Sequence, residues 1–238
     1  LEHSHTPDDI RERLIRPPAG SYLRDCVYGG IDGAVTTFAI VAGVEGAGFS
    51  RTVIIALGIA NVLADGFSMA AGNYSATKAD LDNLQRLREI ERKHIREIPE
   101  GEREEVRQIL RLKGLHGEVR EQAMEAITAD ESVWVDMMVA EEYGVSTTVP
   151  KPLPAAFATF LAFLVCGSVP LLPFLLQMPD PFTTAIIATG MTFFAIGAMK
   201  SRWALSSWWW SGSETLLIGA LAAAIAFTAG HWIGLITG

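Results

Sequence analysis

Two aspartates inside apolar runs have the clearest chemical potential in this sequence. Asp32 sits in the stretch YGGIDGAVTTFAIVAGV, and Asp65 in Leu63-Ala64-Asp65-Gly66-Phe67-Ser68-Met69. Both runs read as bilayer-crossing helices. A carboxylate there costs roughly 2.5–3.5 kcal/mol on insertion scales, so it lines a polar path or has a partner. On a helical wheel Asp25, Gly29, Asp32, Gly33 and Thr36 share one stripe of the first run. Gly58, Asn61, Asp65, Met69 and Gly72 share one stripe of the second. Gly29-xxx-Gly33 is a small-xxx-small spacing that admits a neighbouring helix, and beside the carboxylates it predicts a polar helix–helix contact. Counting from the expected span ends puts Asp32 and Met69 at one depth, on the order of 10 Å inside the boundary, with Asp65 one turn deeper. Two carboxylates, the Asn61 amide and a thioether then form stepping sites for a divalent cation. Oxygen ligands alone suit magnesium or calcium, and the Met69 sulfur shifts preference toward softer ions such as Fe(II). The competing structural reading has each Asp bonded to Ser or Thr, with Met69 filling core space.

These residues need membrane helices to hold them. The chain has 238 residues, is 50% hydrophobic and carries a net charge of −8. Its charge is concentrated in the N-terminal arm and in 81–143; the other segments are long and apolar enough to span about 30 Å of hydrocarbon. They lack the alternation of barrel strands, so the fold class is an all-α membrane protein. Five transmembrane helices are expected, at 23–47, 52–77, 153–176, 182–200 and 214–236. The divisions are an arm at 1–20, spans one and two at 21–78, a polar domain at 79–150, and spans three to five at 151–238.

Lys and Arg placement sets the orientation. With the N-terminus in the cytosol, the N-terminal arginines, 81–143, Lys151, Lys200 and Arg202 all fall on the cytoplasmic side. Only Arg51 falls opposite, together with the C-terminus, as the positive-inside rule requires. Trp203 and Trp208-Trp209-Trp210 read as an interfacial aromatic belt. Glu214 is a minor candidate for a proton path, and His231 a weaker one. Residues 8–16 suggest a short amphipathic helix, with Ile10, Leu14 and Ile15 apolar, ending at Pro17-Pro18. The arm has no apolar centre of a cleavable signal peptide, and a chain opening on Leu1 leaves an upstream segment open. Cys26 and Cys166 both lie in apolar segments, which points to neither a disulfide framework nor a cysteine zinc site.

The second span is expected to run on into a charged helix at 78–97, with a turn at Pro99-Glu100-Gly101. Helices at 102–112, 118–127 and 131–143 follow, the last capped by Thr128 or Asp130. From Asp80 to Glu142 there are 17 Asp or Glu against 10 Lys or Arg, a balance that suits a cation and not nucleic acid. Three groups place candidate ligands on one helix face: Glu91 with His94, Glu102 with Glu105, and Met137-Met138 one turn before Glu141-Glu142. Together they can collect metal ions.

Taken together, the residues resemble the vacuolar iron transporters. The likeness is carried by Arg24-Asp25…Gly30-Ile31-Asp32-Gly33, by Leu63 to Met69 with Gly72-Asn73-Tyr74, and by Pro99…Glu102-x-x-Glu105 and Trp134-x-Asp136-x-Met138-x-x-x-Glu142. The resemblance implies a five-span homodimer, with both first spans lining the path and a cytoplasmic metal-binding domain between spans two and three. It also implies exchange of ferrous iron for protons. Asp32 and Met69 match its intramembrane iron ligands; Glu91, Glu102, Glu105, Met138 and Glu142 match those of its cytoplasmic domain. This sequence departs from the pattern at His94, where a Glu is expected, and at Val139, where a second Met is expected. At Asn61 some members carry Glu, and Asp65, one turn on, stands in for that carboxylate.

The expected activity is proton-coupled Fe(II) export from the cytosol, with Asp32 and Asp65 alternately binding metal and proton. The metal is cargo, and no resident cofactor is expected. Mn(II) is the nearest alternative cargo, with Co(II) and Zn(II) beyond it. The expected membrane is a bacterial inner membrane, or a vacuole-type membrane in a eukaryote. Two other classes compete. A ferritin-like store or membrane-anchored iron sensor would fit Glu91-x-x-His94, but a di-iron bundle needs two such pairs and only one is present. An intramembrane aspartyl protease would use two aspartates on adjacent helices, and would leave the acidic insert without a role.

Overall fold

The computed structural model describes residues 4–15, 22–203 and 205–237. Every regular element among them is helical: α1 (Pro7–Ile15), α2 (Leu23–Gly46), α3 (Arg51–Glu97), α4 (Pro99–Leu112), α5 (Gly117–Thr128), α6 (Glu131–Glu141), α7 (Pro152–Ser168), α8 (Leu172–Leu175), α9 (Pro181–Lys200) and α10 (Trp208–Thr237). Among the described residues, five candidate spans are long and apolar enough to cross a membrane: α2, α3, Pro152–Leu175, α9 and α10. The expected break at Pro17-Pro18 and the side chains of Leu14, Ile15 and Trp203 lie outside the described residues.

The chain divides into two compact units, one of 1–20 with 76–151 and one of 21–75 with 152–238. In the apolar unit α2 is central, packing on α7, α9 and α10. Gly29 and Gly33 permit a close approach to α7. A Cβ on Gly29 would stand 2.4 Å from the Thr159 carbonyl oxygen, and one on Gly33 would stand 2.5 Å from that of Phe163. The small-xxx-small face meets the backbone of α7. Nothing in the spacing says which helix fills the notch. Phe38, Val41, Ile54, Val62, Leu171 and Phe174 form the apolar core beside it. Val169–Leu171 tightens into a 3₁₀ turn, with Pro170 and Pro173 interrupting α7–α8.

The polar unit takes α3 from Ala76 onward, then α4, α5 and α6. Val106, Leu110, Met124, Trp134 and Met138 form one core; Leu84, Leu87, Val135 and Val139 form another. Helix α4 opens at Pro99 itself, so the expected three-residue turn shrinks to Ile98. Proline fits the first helical position because the N–H it lacks would have no helical acceptor there. Asp130 caps α6 by accepting from the Ser132 and Val133 N–H groups, whereas Thr128 ends α5 and donates to Met124 Sδ. Helix α6 stops at Glu141, and Gly144 at φ +65° turns the chain; Glu142 and Tyr143 thus lie beyond the helix.

Candidate metal centre

Within the polar unit, α3 and α4 bring Glu91, His94 and Glu102 together. One ligand atom from each lies within 4.8 Å of the others. His94 Nδ1 is 3.5 Å from Glu102 Oε1 and 3.9 Å from Glu91 Oε1. The i, i+3 spacing on α3 sets Glu91 beside His94, while the single-residue link at Ile98 brings the first turn of α4 back against them. Glu91 is fully buried and Glu102 is 5% exposed, with the half-exposed His94 at the mouth. Glu91 Oε2 and Glu102 Oε2 have no hydrogen-bond partner among the described residues. A buried carboxylate oxygen left so costs about 1–3 kcal/mol or more, which a bound cation would offset.

The electrostatics match that demand. Burial, then the charges of Glu105, Glu91 and Glu142, push Glu102 up to about 7. Glu142 is also raised, by burial and then by Glu91 and Glu105, with His94 opposing. Glu105 and Glu142 are themselves exposed and stand at the rim. Tyr143 Oη donates to Glu91 Oε1 at 2.9 Å. Burial and that carboxylate hold the phenol well above its usual value, so it stays a donor.

Met138 is wholly buried in the apolar core with Val106, Leu110, Met124 and Trp134. Met137 packs on the same core, and Glu141 pairs with Lys113 at 2.6 Å, so these two have structural partners. Tyr143 is a neighbour of this cluster that sequence spacing does not reveal. Its only signal is its place between Glu142 and the turn glycine Gly144.

In the apolar unit two amides tie α3 to α2. Asn61 donates to Thr36 Oγ1 at 3.3 Å and to Thr37 Oγ1 at 3.5 Å. Asn73 donates to Asp25 Oδ1 at 2.9 Å and to Thr159 Oγ1 at 2.7 Å. These two bonds fix an antiparallel register in which Asp65 stands opposite Asp32. Met69 falls one turn nearer the Leu23 end of α2. This shifts α3 by one turn from the register inferred from the sequence, which had Met69 level with Asp32. The error came from counting from a span end that α3, continuous to Glu97, does not mark. Asp32, Asp65, Met69 and Asn61 are all half-buried. Elsewhere, Glu214 pairs with Lys200 at 3.2 Å.

A family model described as the VIT family matches residues 23–231. The chain belongs to the VIT family. Vacuolar iron transporter 1 of Arabidopsis thaliana is 34% identical over 212 residues, covering 88% of this chain and 85% of that protein. Vacuolar iron transporter 2 of Oryza sativa is 32% identical over 212 residues, 88% of this chain and 86% of that one. The vacuolar iron transporter of Toxoplasma gondii is 29% identical over 232 residues, 92% of this chain and 77% of that protein. The VIT family and these relatives are transporters, not enzymes, which removes the aspartyl protease reading and leaves storage without support.

Proposed function

We propose that this VIT-family protein moves Fe(II) out of the cytosol across a membrane in exchange for protons, with Mn(II) as the second cargo. The observation that carries the reading is the pair of carboxylates, Asp32 and Asp65, held opposite each other between two apolar helices by Asn61 and Asn73. A divalent cation suits such a pair, and the pair cannot hold a proton and a metal ion strongly at the same oxygens. Protonation from the far side releases the ion, and deprotonation restores the site. Met69 sulfur one turn away extends the ligand set toward transition ions.

In this reading the polar unit lies in the cytosol, as the Lys and Arg distribution supports, and collects the ion. Glu91, His94 and Glu102 supply the inner ligands and Glu105 and Glu142 the negative rim, with Met138 the thioether that would join them. Imidazole in place of a carboxylate favours Fe(II) over magnesium or calcium. A homodimer with both α2 helices facing the path completes the proposal.

Purified protein in proteoliposomes should take up Fe(II) when a pH gradient is imposed, and Asp32→Ala should stop it. Undiminished pH-driven uptake by that variant would overturn the proposal. Competition by Mn(II), Co(II) and Zn(II) in the same assay ranks the cargoes.

A further inference from the structure

We propose that Tyr143 is a positioning residue of the Glu91–His94–Glu102 centre: its hydroxyl holds one oxygen of Glu91 so that the other is presented to the incoming cation. This rests on the reading of that cluster as an ion-collecting centre.

The terminal torsion of a glutamate is soft and roughly two-fold, so its oxygens exchange places unless something distinguishes them. For the fully buried Glu91 that distinction comes from Tyr143, which donates to Oε1 at 2.9 Å and leaves Oε2 without a donor among the described residues. A neutral donor suits the task. Lysine or arginine in its place would neutralise the carboxylate and compete with a cation, whereas the phenol orients the group and leaves its charge intact. The turn after α6 delivers it. Gly144, at φ +65°, lets the chain leave the helix, and Tyr143 reaches Glu91 on α3 while its neighbour Glu142 stays at the rim. Such outer partners of metal ligands typically govern 10–100-fold in affinity.

The test uses the full-length protein carrying Asp32→Asn and Asp65→Asn, which takes the span carboxylates out of the titration. Co(II) and Mn(II) binding are measured by calorimetry, and the Co(II) visible spectrum is recorded at saturation. Tyr143→Phe keeps the ring and removes only the hydroxyl. Expected are a 10–100-fold weaker Kd, a shifted Co(II) spectrum, and a retained cooperative unfolding transition without metal. Unchanged affinity and spectrum would overturn the proposal, as would loss of the unfolding transition, which would mark Tyr143 as a packing residue. Glu91→Gln in the same background separates the two claims. If it binds as tightly as the parent, the ion-centre reading itself fails. If it weakens binding and Tyr143→Phe does not, only the positioning role fails.

Discussion

Asp65 stands opposite Asp32 across the α2–α3 seam, in a register fixed by Asn61 on Thr36 and by Asn73 on Asp25. The two acids should therefore contribute alike. Asp32→Asn and Asp65→Asn are each expected to slow metal uptake by roughly tenfold to a hundredfold, the loss of one interaction with a charged group worth about 1.5–3 kcal/mol. Met69→Leu should cost less and mainly erode the preference for Fe(II) over Mn(II). Initial uptake rates in proteoliposomes check this ordering, and a silent Asp65→Asn would break it.

Glu102 gives the polar unit a pH dependence of definite sign. Its folded value is raised from 4.5 to about 7, so the metal-free fold holds this proton more tightly than the unfolded chain does. That contribution to stability is full below about pH 4.5 and is lost as pH rises through about 7. Metal binding runs the other way, because the ion displaces the proton. Affinity should fall about tenfold per pH unit below 7 and level off above it. Calorimetric titrations and thermal unfolding between about pH 5 and 8 measure both trends, and Glu102→Gln should flatten the stability profile.

His94 sets the chemical character of the mouth. His94→Glu converts a mixed nitrogen–oxygen site into one of carboxylates alone, so Co(II) and Zn(II) should lose ground to Mn(II) by roughly tenfold, about 1.4 kcal/mol. Competition titrations on the two proteins give the ratio directly. An unchanged ratio would show that His94 does not reach the ion.

The α2–α7 contact predicts a contrast between glycines. Gly33→Leu must push apart two helices whose backbones meet at the Phe163 carbonyl, and overpacking of this kind costs about 1–3 kcal/mol. Gly72→Ala meets nothing within 4 Å and lies inside a helix, so it should be neutral or stabilise by about 0.5–1 kcal/mol. Thermal midpoints in one detergent separate the two.

Much of this architecture was legible because hydrophobicity and charge are so sharply segregated. Asp32 and Asp65 announce themselves by violating an apolar run, and Glu91 and His94 by their spacing. Depth was not legible. The polar half of α3 continues the helix without a cap, so no residue marks where its span ends, and Met69 was matched with the wrong level of α2. Tyr143 was hidden for another reason. A phenol has no spacing signature, and its role appears only once Gly144 has turned the chain. Met138 shows the converse: a methionine near acidic residues reads as a ligand, while its side chain also fills the core between Trp134 and Val106.

The glycine notch on α2 has a mechanical consequence. The backbone of α2 is seated on α7 at Gly29 and Gly33, and Gly43 meets Gly230 of α10, so a side chain added at Gly29, Gly33 or Gly230 would wedge these helices apart. Opening of the carboxylate pair is therefore expected to fall to α3, whose spanning stretch is 22% buried against 50% for α2 and whose ties to α2 include amide bonds that can break and re-form.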